Sequence, residues 1–121
     1  MSITTLSLLA TTTVGTPSGN YDGSTQDFYG DPQRAVNYYA GQGSIQTVFI
    51  RVTNFEGIIT VQATLDDDPD QARWVDTYTY DHASSSITDY HPVTVTGNYT
   101  FMRVAITEFQ AGTIEFVNLA Y

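Results

Sequence analysis

The chain has 121 residues, with four Arg, no Lys, no Cys and thirteen Asp plus Glu, for a formal net charge of −9. That length fits one domain with a buried core, and the missing Cys and Lys exclude disulfides, Cys-ligated zinc, thiol nucleophiles and Schiff-base chemistry. The negative charge argues against nucleic acid and anionic membranes as partners, because a DNA binder must neutralise phosphates.

The composition points to an all-β fold. Nineteen Thr, nine Tyr and six Phe suit pleated, half-buried surfaces, while three Glu and no Lys leave little for long helices. Met1–Ala10 carries Ile3, Leu6, Leu8 and Leu9 without a basic flank, so it reads as a first strand rather than a secretory signal. No stretch approaches the length of a membrane span. Residues 11–43 are rich in Gly, Ser, Thr, Asn and Asp and read as a long loop or arm able to lie on a partner. Within it a short strand is expected near Asp27–Tyr29, and Asp31-Pro32 suggests a short helix stopped by Gly41.

From Ser44 onward the pattern alternates. Val48, Ile50 and Val52 share one face of a strand, and Ile59, Val61, Ala63 and Leu65 share one face of the next. Asn54-Phe55-Glu56-Gly57 reads as the hairpin between them. Asp66–Asp70 is a loop, Trp74–Tyr80 a strand, Asp81–His91 a polar, Ser-rich loop and Val93–Thr96 a short strand. Tyr99–Thr107 and Thr113–Tyr121 complete the set. Six to eight strands at this spacing predict an antiparallel β-sandwich or jelly roll. Arg51–Ile59 is echoed by Arg103–Ile114, which suggests two similar hairpins facing each other across the sandwich.

The candidate chemistry is sparse. Asp66, Asp68 and Asp70 alternate as in a calcium loop, but Gln71 stands where an EF-hand needs Gly, and Pro69 interrupts. Carboxylates capping a turn explain them better. Ser84, Ser85 and Ser86 with His82 and His91 have no nucleophile-elbow motif around them, and no opposed carboxylate pair marks a glycosidase. No catalytic residues, metal or cofactor are assigned. Asn98-Tyr99-Thr100 matches a glycosylation sequon but lacks a secretory context. Aromatic residues remain. Trp74, Tyr78 and Tyr80, alternating along one strand, are candidates for a sugar platform or a core face. Phe28, Tyr29, Tyr38 and Tyr39 in the arm are candidate partner contacts.

Three stretches carry a resemblance. They are Tyr21-Asp22-Gly23-Ser24-Thr25 with Gly30-Asp31-Pro32, Thr53–Gly57 running through Ala63-Thr64-Leu65 and Pro69 to Arg73-Trp74, and Gly97–Arg103 running to Ala111–Ile114. Together they resemble the small β-sandwich domain of virion structural proteins in tailed bacteriophages of the cyanophage and marine phage type. The resemblance spans nearly the whole chain after residue 20. It implies no catalysis and no cofactor, and a multicopy component of the tail, tail fibre, neck or capsid exterior. Its implied partners are other virion proteins and further copies of itself; the Trp74, Tyr78 and Tyr80 platform gives the alternative, a carbohydrate-binding module that takes a glycan receptor. It carries no set of functional residues. Family members are often modules of longer chains, so attachment is expected here from the domain's own faces or from the 11–43 arm. The absence of Lys fits this expectation, because Lys is a common guard of exposed sheet edges.

Overall fold

The computed structural model describes residues 5–36 and 45–121. The described residues contain seven strands and no helix: β1 (Thr5–Leu9), β2 (Thr12–Thr13), β3 (Phe28–Tyr29), β4 (Gln33–Arg34), β5 (Ile45–Thr64), β6 (Val75–Thr96) and β7 (Phe101–Ala120). All belong to one antiparallel sheet in the order β1-β7-β5-β6, with β2, β3 and β4 also pairing with β7. The expected all-β, sandwich-like fold is therefore the fold observed. The sheet is dominated by three strands of 20, 22 and 20 residues. Each spans what the sequence pattern divides into two.

The reason lies in the phase of burial. The first half of β5 buries Gln46, Val48, Ile50 and Val52, and the second half buries Phe55, Ile59, Val61 and Ala63. Side chains alternate strictly along a strand, so a switch from even to odd positions needs an inserted residue. Asn54 supplies it, with φ at 51° in the left-handed region, where Asn is better tolerated than most residues. On β7, Met102, Val104 and Ile106 are buried, the phase then changes, and Phe109 is buried next. Here Glu108 takes φ 51°.

The two bends lie side by side and interlock. A Cβ on Gly57 would press on the Phe55 ring and sit 3.2 Å from the Glu108 carbonyl oxygen. A Cβ on Gly112, at φ 86°, would run into the Asn54 backbone. Each bend thus needs a glycine opposite the other bend's left-handed residue. The echo in the sequence is real, but it encodes two bends on neighbouring strands, not two hairpins across a sandwich. Asn54–Gly57 lies within β5 and the Glu108 region within β7.

The third long strand bends differently. The β5–β6 register passes from Phe55↔Ile87 to Gly57↔His82, so Ala83–Ser86 fall outside it. The Ser-rich segment expected to be a loop is a bulge in a continuous strand, long enough to take β6 around the outside of the turn. Bending doubles the sheet over on itself, and the two halves of each strand enclose one core. Phe55 and Phe109 meet at the fold line with ring centroids 5.8 Å apart, and Tyr21 and Phe28 pack against Phe109 at 5.4 and 6.0 Å.

The described part of the N-terminal arm lies along β7. Thr12↔Ile114, Phe28↔Ile106 and Gln33↔Met102 stitch it down, running antiparallel to β7 from end to end. Residues 14–27 leave the sheet between β2 and β3. There the Asp22 carboxylate accepts the N–H groups of Ser24 and Thr25 at 2.9 and 2.8 Å, and these backbone bonds hold its carboxyl below the usual carboxylate range. The expected strand near Asp27–Tyr29 is β3. The helix expected after Asp31 is replaced, over its described part, by β4, because Gln33 and Arg34 find backbone partners on β7.

Candidate functional site

The sequence places Trp74, Tyr78 and Tyr80 on one strand face as a sugar platform, but the structure separates them. Trp74 precedes β6. Tyr80 is 4% exposed, and Tyr78 packs partly buried against the core. Their register partners Ile59 and Val61 are core residues. The three rings therefore do not form a flat exposed strip. Tyr78 and Tyr80 instead close the open side of the doubled sheet. The Tyr80 hydroxyl donates to Asp89 Oδ2 at 2.9 Å, and the Tyr78 hydroxyl lies 2.7 Å from His91 Nε2. Asp89 and His91 come from the other half of the same strand, so β6 is hydrogen-bonded to itself across the core. His91 Nδ1 lies 3.8 Å from Asp89 Oδ2, and the His82 ring meets Tyr80 edge-on with centroids 4.5 Å apart. Burial and the adjacent Asp89 carboxylate push the Tyr80 phenol well above its ordinary value.

This seam gathers His, Asp and Tyr without a nucleophile–base pair. His91 is engaged by Tyr78 and Asp89, and Ser84–Ser86 are exposed on the bulge. Among the described residues no three His, Asp or Glu side chains form a metal-sized group. The calcium candidates Asp66, Asp68 and Asp70 do not converge either. Asp66 Oδ2 accepts the Arg73 N–H at 2.7 Å, and Asp68 Oδ1 accepts the Asp70 N–H at 3.0 Å. Two of the three carboxylates thus satisfy backbone donors, the role the sequence favours for them.

The arm candidates also divide. Phe28 is 7% exposed and packs against Tyr21 and Phe109, so its ring is a core residue and not a surface contact. The cause is register, since Phe28 lies opposite the core residue Ile106. Tyr29, its neighbour on the other face, is 51% exposed. Tyr38 and Tyr39 lie outside the described residues.

The outer face at Tyr29 holds a second polar arrangement, and the sequence does not announce it. Arg103 points away from a core formed on both sides by Met102 and Val104. Its guanidinium carbon lies 4.2 Å from the Tyr29 ring centroid and 4.4 Å from that of Trp74. Arg103 Nε donates to Gln62 Oε1 at 2.8 Å, and Gln62 Nε2 donates to Asp76 Oδ1 at 2.9 Å. Arg103↔Gln62 and Gln62↔Asp76 are register partners, so the row runs straight across β7, β5 and β6. Burial between the rings pulls the Arg103 guanidinium below its usual range. In sequence, Arg103 is a lone cation in an apolar strand. Only cross-strand register brings it to Trp74, some thirty residues away.

Two further surface features stand out. Leu65 and Val75 are 69% and 52% exposed and line an open cleft with Asp66, Arg73 and Tyr99. Strand β6 pairs with β5 along one side, and its other side has no strand partner among the described residues. Phe49↔Pro92 must be a non-hydrogen-bonded pair, since Pro has no N–H. In that alternation the backbone groups of Tyr90 and Thr94 point outward along the open edge, where Asp89 Oδ1 accepts the Tyr90 N–H at 2.8 Å.

No protein-family model matches the chain, and no curated protein matches it.

Proposed function

We propose that the protein is a non-enzymatic structural component of a tailed-phage particle, present in several copies and acting through protein–protein contacts. One observation carries the protein–protein part of this reading, the 22-residue β6 edge in a chain with no Lys; the phage part rests on the resemblance of the three sequence stretches. A long strand with unpaired donors and acceptors is a template for another chain. Soluble monomers commonly guard such an edge with Lys. Here the guards are Pro92, the Ala83–Ser86 bulge and scattered Asp. The half of β6 before the bulge carries the exposed Val75 beside Leu65, so apolar area and open backbone lie together. A repeated subunit in a closed array covers both. The short strands of the N-terminal arm, β2, β3 and β4, are paired with β7, and β6 is the long edge strand that supports a contact. The acidic surface suits a position outside the packaged genome.

The test is particle composition. Quantitative mass spectrometry of purified phage particles should find this chain at many copies per particle, and antibody against it should decorate one defined location. A chain expressed during infection but missing from purified particles would overturn the reading.

A further inference from the structure

The Tyr29–Arg103–Trp74 row has a property that assembly through β6 does not use. The Arg103 guanidinium is packed against both the Tyr29 and the Trp74 rings, and Gln62 takes its Nε–H. No carboxylate lies within ion-pairing distance of it among the described residues, in a chain of net charge −9. Its terminal N–H groups make no hydrogen bond there. A guanidinium held rigid with unused donors is preorganised for a planar two-oxygen acceptor. Two further groups flank it. Tyr29 is half exposed and presents ring surface beside the cation, and Asp76, fixed through Gln62, presents an acceptor on the far side.

We propose that this outer-face row is a binding site for an acidic sugar, a uronic-acid-type residue of a glycan. Its carboxylate meets the Arg103 terminal N–H groups, the C–H face of its ring lies against the exposed part of the Tyr29 ring, and its hydroxyls donate to Asp76. The pairing of groups selects this ligand class. A simple anion would use Arg103 and gain nothing from the rings. An acidic peptide would meet the Asp76 carboxylate as a repulsive neighbour, whereas a sugar brings hydroxyl donors to it. A neutral sugar would leave the guanidinium donors unmatched. The test reads binding of a glycan and not of a second copy of the chain, so either reading can fail without the other.

Trp74 is the sole tryptophan in the chain, and it forms one wall of the site, so its fluorescence reports occupancy directly. The experiment titrates the full chain with tri-galacturonic acid, with the same trisaccharide methyl-esterified at its carboxyls, with acetate, and with a short poly-glutamate peptide. The free acid should change Trp74 emission saturably. The ester should bind about tenfold more weakly or worse, having lost the charge-assisted bonds. Acetate and the peptide should give no saturable change at matched concentration. Arg103→Gln should abolish the difference between acid and ester while a thermal melt shows the fold retained. Equal response to acid and ester, a saturable response to acetate or the peptide, or no response to the acid would each overturn the proposal. The ester comparison is made on the unmodified chain, so a variant that fails to fold leaves the test standing.

Discussion

The doubled sheet is closed by two unlike seams. At the fold line, Phe55 and Phe109 pack with Tyr21 and Phe28, and Phe55 and Phe109 are 0% and 2% exposed. At the open side, the two halves of β6 are joined by Tyr80–Asp89 and Tyr78–His91, with Asp89 and His91 about one-third exposed. The first seam is apolar and set by backbone geometry. The second is polar and set by side-chain hydrogen bonds. The difference shows where the fold tolerates water. The inside of the β5 and β7 bends is dry because the Phe55 and Phe109 rings fill it. The β6 side is an edge, where charged and hydroxyl groups close the gap and still face solvent.

The apolar seam should be the more costly to break. Phe55→Ala removes the ring at the centre of the fold line and should cost about 3–5 kcal/mol, read as a large drop in the denaturant midpoint. Gly112→Ala is expected next, at about 2 kcal/mol or more, because it combines a positive φ with a clash against the Asn54 backbone. If Gly112→Ala were neutral, the interlocking of the two bends would be wrong. At the polar seam, Tyr80→Phe leaves Asp89 Oδ2 without its hydroxyl donor, while Oδ1 keeps the Tyr90 N–H. It should cost about 1 kcal/mol, discounted because Asp89 is partly hydrated.

The polar seam also has a pH signature. The folded phenol of Tyr80 titrates above its unfolded value near 10. Its neutral form is the one favoured by folding, so its contribution is complete below about pH 10 and declines as pH rises further. Stability measured from pH 9 upward should therefore fall more steeply in the unmodified chain than in Tyr80→Phe. Identical slopes would place Tyr80 outside the seam. The smallest expected effect is Arg103→Gln on stability, since a half-exposed stacked cation contributes modestly. That variant should separate binding from folding.

Much of the fold was legible because alternation is a local signal. The runs 46–52 and 57–65 and the apolar positions 102, 104 and 106 show strand periodicity directly. The bends were misread as hairpins for a physical reason. A glycine with a neighbouring Asn looks the same whether the chain reverses or merely changes phase, and only the partner strand decides. Ala83–Ser86 looked like a loop because a bulge in an edge strand needs no apolar residue. Register also decides the surface. It buries Phe28 and Tyr80, exposes Tyr29, and brings Gln62, Asp76 and Arg103 together from three strands, with Trp74 just ahead of β6. None of these juxtapositions is written in sequence spacing.

The central claim is that the β6 side is a contact between subunits. Sedimentation velocity over a wide concentration range, comparing the unmodified chain with Val75→Lys, tests it most directly. Val75 is exposed on the proposed contact, and a lysine there adds the edge guard that the sequence lacks. The account predicts concentration-dependent oligomers for the unmodified chain and a shift toward monomer for the variant, which still unfolds in one cooperative transition. A unmodified chain that sediments as a monomer at every concentration, indistinguishable from Val75→Lys, would contradict it.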